Sequence, residues 1–156
     1  MASDRESDRE TKALQKVHVW PVRVYYEDTD AGGRVYHASY LRFAERARTE
    51  LARALGFENS YLMAEQAQPL ILPVRRLEVE YHAGARLDDA LEVHTHLAAV
   101  GGTLLTFDQM VVREGVVIAR LKVLVACVHR DSGRPVRLPP AVREELQAYS
   151  HGKDKE

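Results

Sequence analysis

The 156-residue chain has a single cysteine, which is too few for a disulfide framework or a cysteine-based metal site. Its one cysteine, Cys127, cannot form an internal disulfide, and no Cys/His cluster has the spacing of a zinc site. Cys127 lies inside the apolar run 123–128. This position predicts a thiol packed in the core, not a nucleophile.

An excess of one charge and a long apolar run are also missing. The formal net charge is −1 and there is no basic block, which argues against nucleic acid or an anionic membrane surface as a partner. The most apolar stretch, 116–128, contains Arg120 and Lys122, and it is shorter than the about 20 residues of a bilayer span. The first twelve residues are highly charged and have no apolar signal segment. We therefore expect a cytoplasmic protein without a membrane span.

Hydrophobic residues make up 46% of the chain, which is enough for the core of one domain. Segments 1–15 and 151–156 hold little apolar surface. They predict a disordered N-terminal segment and a mobile tail on either side of one domain at 16–150.

The hydrophobic periodicity changes along the chain from strand to helix and back. Residues 17–26 are rich in β-branched and aromatic side chains and predict a strand. Residues 40–55 repeat apolar side chains at steps of three and four before Gly56, which predicts an amphipathic helix. Its apolar stripe is Tyr40, Ala44, Ala47, Leu51 and Leu55.

Period-two alternation follows the helix and predicts four half-buried antiparallel strands, the last two a hairpin over 104–112 and 116–129. Pro139 and Pro140 open a short last helix. This order predicts an α+β fold in which a five-stranded antiparallel sheet packs on one long helix. The apolar positions assigned to the inner face include Leu77, Val79, Tyr81, Leu91, Val93, Thr95 and Leu97.

The second face of this sheet carries Glu, His and Arg mixed with apolar groups. Such a face can pair with a copy of itself, so we expect a homo-oligomer.

The candidate chemistry lies in the segment 25–40, which joins the first strand to the long helix. Glycines there allow positive φ or a close approach to a ligand. The helix begins near His37, where free N–H groups can polarise a carbonyl or hold an oxyanion, and a nearby carboxylate can act as base or nucleophile. The residues of interest are Glu27, Asp28, Asp30, Gly32, Gly33, Tyr36 and His37.

Spacing alone leaves other interpretations of this segment open. The Asp-Thr-Asp run can close a turn, because Asp and Thr bond their own backbone readily. A calcium loop starting at Asp28 would need ligands where Gly32 and Ser39 stand, which disfavours it. A metal held by Asp28, Asp30 and His37 has no diagnostic spacing.

The motifs WPVRVYYEDTDAGG at 20–33, VYHASY at 35–40 and ERARTE at 45–50 resemble the 4-hydroxybenzoyl-CoA thioesterase group of hotdog proteins. Within this group they are most similar to the bacterial Tol–Pal-associated acyl-CoA thioesterases. A second match is Val79-Glu80-Tyr81 followed by 85–89. The likeness covers residues 19–145, nearly the whole domain.

The resemblance implies a hotdog fold, a sheet wrapped around the long helix, with sites at the interface of a homodimer or homotetramer. It implies hydrolysis of acyl-CoA to a free acid and CoA without a metal or other cofactor. Asp30 falls at the catalytic carboxylate, as general base or nucleophile, and the backbone N–H of His37 at the thioester carbonyl. Gly33 and Tyr36 would line the acyl or thioester end, and Glu45 is a weaker candidate for substrate binding or loop support.

The chain departs from the family at 100–103, where relatives often carry basic residues beside the CoA phosphates. The glycines there could present N–H groups to phosphate. Otherwise Arg75, Arg76, Arg120 or Lys122 would have to serve. Whether CoA or acyl carrier protein is the acyl donor stays open.

Other functions compete with hydrolysis of an acyl-CoA. No Gly-x-Ser-x-Gly elbow supports a serine hydrolase. A hotdog hydroxyacyl dehydratase would need a His-Phe and Met-Pro-Gly signature that this chain lacks. A non-catalytic or weakly catalytic acyl-carrier-binding protein of lipid or envelope metabolism remains the alternative.

Overall fold

The structure, a computed structural model, describes residues 16–57 and 69–152. Of the segments predicted to be mobile, 1–15 lies outside these ranges and 151–156 lies inside them only at its first two residues. The strands are β1 (His18–Arg23), β2 (Leu70–Ile71), β3 (Val74–Tyr81), β4 (Ala90–Val100), β5 (Leu104–Arg113), β6 (Val116–Ala126) and β7 (Val128–His129). The helices are α1 (Ser39–Ala54) and α2 (Pro140–Ser150), and a 3₁₀ turn covers Tyr26–Asp28.

The main sheet has five antiparallel strands, as predicted, and their order is β1-β4-β5-β6-β3. The last strand of the predicted hairpin is shorter than expected, because it stops at Ala126. Cys127 then donates its N–H to Thr103 O at 2.8 Å, and Val128–His129 pairs with β2 in a separate two-stranded sheet. The first strand also stops early, at Arg23, since the 3₁₀ turn bends the chain away from the sheet.

Helix α1 lies against the inner face of the sheet. All five residues of the predicted apolar stripe are buried, and Phe43, which falls beside the stripe, is fully buried too. The small side chains of Ala44 and Ala47 let the helix backbone approach the strands closely. Full burial of Phe43 alone contributes on the order of 2–3 kcal/mol.

The edge strand β3 keeps its predicted alternation but is less covered at its end. Leu77 and Val79 are half-buried, as expected of a half-buried strand. Tyr81 lies in phase with them and its ring meets Tyr40 of α1, yet it is 46% exposed. Since β3 has a neighbouring strand on one side only and runs past the end of the core, its last side chain reaches the surface.

The second helix, α2, packs beside β4 and buries Val142 and Leu146. Its Ser150 hydroxyl donates to Leu97 O at 2.8 Å, which holds the helix end on the sheet. The helical layer therefore contains two helices, with the predicted short one adding to the long one. None of the helices within the described ranges is long and apolar enough to cross a bilayer.

The outer face of the sheet carries many polar and charged side chains on β3, β4, β5 and β6. The strand register places His94, Met110, Arg120 and Glu80 in one row and His96, Asp108, Lys122 and Glu78 in the next. Opposite charges on neighbouring strands stabilise such a face in water.

Candidate active site

The loop between β1 and α1 starts with a turn built around Asp28. The Asp28 carboxylate is buried, and its Oδ2 accepts the N–H of Tyr25 at 2.8 Å. The Asp28 N–H in turn donates to Tyr25 O at 3.0 Å. Asp28 is therefore a structural residue that fixes where the loop leaves the sheet.

Asp30 closes a second turn immediately afterwards. Its Oδ1 accepts the N–H groups of Gly32 at 2.9 Å and Arg34 at 3.3 Å, and its backbone pairs with Arg34 and Gly33. Gly33 has φ +78°, a left-handed conformation that favours glycine. A side chain at Gly32 would place its Cβ 3.2 Å from Asp30 Oδ1.

The Asp30 side chain is exposed, and none of the described residues donates a hydrogen bond to its Oδ2. The carboxylate thus combines two properties that the sequence left as alternatives. One oxygen forms the turn, and the other is available for chemistry.

The loop then leads into the first turn of α1. Tyr36 donates its N–H to Asp28 O at 2.8 Å, and Ser39 donates to Tyr36 O at 2.8 Å. Among the described residues, no acceptor bonds the N–H groups of His37 and Ala38, which directly precede the helix. These donors stand at the positive end of the helix dipole, where a developing oxyanion would be stabilised.

Tyr81 is a residue of this site that sequence reasoning placed on a half-buried strand without a role in the site. Its hydroxyl donates to His37 O at 2.7 Å, and its ring meets Tyr40 edge-on at 5.4 Å between centroids. Partial burial, with the neighbouring Tyr40, raises the pKa of Tyr81, so the phenol keeps the proton that it donates. The signal in the sequence was the Val79-Glu80-Tyr81 match, which carries the family resemblance.

The predicted site residues fall in two places. Asp30, Gly33, Tyr36 and His37 share the loop, and the rings of Tyr36 and His37 lie 4.5 Å apart. Glu45 does not join them, because it stands six residues into α1, about 9 Å along the helix axis. There it lines a cavity of about 250 Å³ together with Arg48.

The structure does not support the metal hypothesis for Asp28, Asp30 and His37. The Asp28 carboxylate is turned inward to Tyr25. Within the described ranges, no three His, Cys, Asp or Glu side chains gather closely enough to hold a metal ion.

The glycine turn between β4 and β5 is flanked by cations that sequence reasoning did not place there. Arg143 Nε donates to Gly101 O at 3.4 Å, and a Cβ on Gly102 would lie 3.8 Å from Arg137 Cζ. Both arginines line a cavity of about 620 Å³ at the start of α2. Arg120 and Lys122 instead lie on the outer face of the sheet, and the Arg76 side chain is exposed beside Glu78.

Fold and loop together define a thioesterase. The model of the thioesterase-like superfamily matches residues 24–146, and the chain belongs to that superfamily. It is 49% identical over 129 residues to the acyl-CoA thioester hydrolase YbgC of Escherichia coli O6:H1, covering 82% of this chain and 94% of the relative. It is 46% identical over 124 residues to the acyl-CoA thioesterase YbgC of Haemophilus influenzae, covering 80% and 90%.

Solved structures agree with this assignment. A probable thioesterase from Bartonella henselae superposes with a TM-score of 0.75 at 34% identity, covering 80% of this chain and all of that one. The family inferred from the loop and helix motifs is therefore confirmed.

Proposed function

We propose that this protein hydrolyses acyl-CoA thioesters to a free acid and CoA, with Asp30 and the His37–Ala38 N–H groups as its catalytic machinery. Support comes from the relatives named acyl-CoA thioester hydrolase. The carrying observation is that, within residues 16–57 and 69–152, no group bonds Oδ2 of Asp30 or two N–H groups at the helix start in the same loop.

The thioester carbonyl oxygen accepts hydrogen bonds from the loop N–H groups, and the carbonyl carbon is then attacked. Asp30 either removes a proton from an attacking water or attacks directly to form an anhydride that water then hydrolyses. In both routes the C–S bond breaks and the CoA thiolate leaves and takes up a proton. A thiolate leaves readily, so a carboxylate and a carbonyl clamp suffice without a Ser-His-Asp triad.

Tyr81 makes the N–H donors that bind the carbonyl oxygen more effective. Its hydroxyl bonds the carbonyl of His37, which belongs to the same peptide group as the N–H of Ala38. A hydrogen bond on the oxygen of a peptide polarises its N–H. The Ala38 donor is therefore better matched to an oxyanion than a peptide without this partner.

The test is thiol release from short-, medium- and long-chain acyl-CoAs by the wild type and by Asp30→Asn. Asparagine keeps the Oδ1 acceptor that forms the turn and replaces only the other oxygen. We expect kcat to fall by about 10²-fold or more, the contribution of a positioned base, while Asp108→Asn on the outer face leaves it unchanged. Equal rates for wild type and Asp30→Asn on every substrate would reduce Asp30 to a turn former.

Self-association through β3 completes the proposed site. β3 is an edge strand of the described sheet, and exposed Val74 and Tyr81 mark its two ends. A second copy pairing antiparallel along this edge, about a two-fold axis, brings the Val74 end of one protomer to the Tyr81 end of the other. Each catalytic loop would then lie at the protomer interface, beside its partner's β3. A monomeric mass at assay concentration would contradict this arrangement, and a tetramer would need a further interface such as the polar outer face.

The arginines beside the glycine turn are our candidates for the CoA phosphates. Arg137 and Arg143 line a cavity of about 620 Å³, Arg143 donates to Gly101 O, and guanidinium groups suit phosphate oxygens. Arg137→Gln should raise KM for an acyl-CoA and leave KM for the matching acyl-pantetheine, which has no nucleotide, unchanged. If acyl carrier protein is the donor instead, Arg137→Gln would weaken turnover of its thioester and spare acyl-CoA.

A non-catalytic acyl-carrier-binding protein is the second candidate function, because Asp30 does form its own turn. It predicts tight binding of acyl thioesters without turnover. The free, buried Cys127 thiol suits a reducing compartment such as the cytoplasm for either function.

A further inference from the structure

The cavity of about 250 Å³ lies between α1, α2 and one end of the inner sheet face, away from the catalytic loop. Most of its wall is apolar. At roughly 30 Å³ for each water-sized group, it holds about eight such groups, the size of a medium alkyl chain. The apolar lining includes Leu51, Phe57, Leu72, Leu105, Val142 and Leu146.

One wall of this cavity is polar, and its central residue is Arg48. Arg48 Nη1 donates to Gln109 Oε1 at 2.9 Å. Gln109 is 1% exposed, and its Nε2 is bonded to Ala44 O and Thr95 Oγ1, both at 2.9 Å. The amide is therefore locked with its oxygen towards Arg48.

Gln109 Oε1 is the one acceptor among the described residues that is hydrogen-bonded to the guanidinium of Arg48. Arg48 is half-buried and lines the cavity. Burial lowers the pKa of Arg48, and the opposite charge of Glu45 partly offsets this effect. A charge in an apolar setting with spare donors favours a ligand that supplies an oxygen.

Glu45 decides which oxygen fits. It lines the same cavity, one helical turn before Arg48, and its carboxylate only accepts hydrogen bonds when ionised. A ligand carboxylate would gain from Arg48 and be repelled by Glu45. A hydroxyl can accept from Arg48 and donate to Glu45, whereas a plain alkyl end satisfies neither residue.

We propose that this cavity takes the acyl group of the substrate, and that Arg48 and Glu45 select hydroxylated acyl chains over plain and carboxylated ones. The proposal rests on the proposed function and specifies its substrate class. Glu45 and Arg48 stand about 9 and 14 Å along α1 from its first residue. With C–C bonds of about 1.5 Å, a zigzag chain of about ten carbons spans this distance from the carbonyl clamp.

The test uses three CoA thioethers that cannot be hydrolysed: decyl-CoA, 10-hydroxydecyl-CoA and 9-carboxynonyl-CoA. Their dissociation constants are measured by calorimetry on the full-length wild type, Arg48→Met and Glu45→Gln. The exposed Arg46→Met on the same helix is the matched control. Kinetics with the corresponding thioesters are run in parallel.

We expect the wild type to bind the hydroxyl compound at least about tenfold more tightly than the alkyl one, because a hydrogen bond to a charged donor contributes this much to affinity. The carboxyl compound should bind weakest. Arg48→Met should abolish the hydroxyl preference while keeping alkyl binding, and Arg46→Met should change neither. Glu45→Gln, at an exposed position where folding is not at risk, should improve binding of the carboxyl compound.

Equal affinities for the three thioethers, or a hydroxyl preference that survives Arg48→Met, would overturn this inference and leave the thioesterase intact. The same holds if the thioesters are hydrolysed but no thioether binds in the cavity. Failure of every thioester to react, with the thioethers still bound in the expected order, would instead overturn the catalytic proposal and keep the selectivity.

Discussion

Replacement of Gln109 by leucine tests the polar network in the core most directly. The substitution keeps the volume of the side chain and removes two neutral hydrogen bonds and one to the charged Arg48. These bonds are worth about 1 kcal/mol each when neutral and about 2 kcal/mol to a charge. The apolar surface of leucine recovers about 1–2 kcal/mol. The free energy of unfolding should therefore fall by about 2–3 kcal/mol.

A fall of this size lowers Tm by about 10 °C for a domain of this length. Thermal unfolding followed by circular dichroism measures it. All variants are compared at one protein concentration, because the stability of an oligomer depends on it. Gln147→Leu, the same change on the half-buried side of α2, should stay within about 0.5 kcal/mol of wild type.

The double variant Arg48→Met/Gln109→Leu provides the decisive comparison. Gln109→Leu alone leaves the Arg48 charge without its acceptor, whereas the double variant removes both partners. The losses in the free energy of unfolding of the two single variants, added together, should therefore exceed the loss of the double variant by about 1 kcal/mol or more. Additivity within about 0.3 kcal/mol, or an unchanged Tm for Gln109→Leu, would refute the reasoning.

Three further predictions concern single side chains. Cys127 is buried and burial raises its pKa, so a disulfide reagent should label it only after denaturant is added. The Arg86 N–H, with help from Arg113, lowers the pKa of Asp89. The Asp89 carboxylate therefore stabilises the fold above its ordinary pKa of about 4, and this stabilisation is lost as pH falls through the lower folded value. Asp89→Asn should narrow the difference between Tm at pH 7 and pH 3, and an unchanged difference would contradict this. Tyr81→Phe should lower kcat about tenfold with Tm within a few degrees of wild type, whereas a matching loss of both would indicate a purely structural hydroxyl.

Local periodicity was enough to predict most of the fold. The alternation of Leu91, Val93, Thr95 and Leu97 fixes the inner face of β4, and the stripe on α1 fixes its buried side. These patterns work because each strand or helix buries one face along its own length. The phase of Tyr81 was predicted, since its ring meets Tyr40 of α1, but its exposure was not. Exposure at a sheet edge depends on which strands are neighbours, and the order β1-β4-β5-β6-β3 is not local.

The loop was also predictable, since its glycines, acids and aromatic pair are contiguous in the chain. The arginines at the β4–β5 turn were not, because Arg137 lies 35 residues after Gly102 and reaches it only through the path of the C-terminal segment. Gln109 did carry a signal that was overlooked. It is a polar residue in the inward phase of β5, directly opposite Thr95 on β4.

The two oxygens of the Asp30 carboxylate have different roles, and this bears on how the chain could change during evolution. Because Oδ1 is the carboxylate oxygen that bonds the turn, together with the Asp30 backbone, an asparagine at this position would preserve the backbone of the loop and the positions of the His37 and Ala38 donors. A single nucleotide change in an aspartate codon would then convert a hydrolase into a protein that binds the same thioester without hydrolysing it. In this fold, replacing one carboxylate oxygen by an amide nitrogen would separate an enzyme from a sequestering protein.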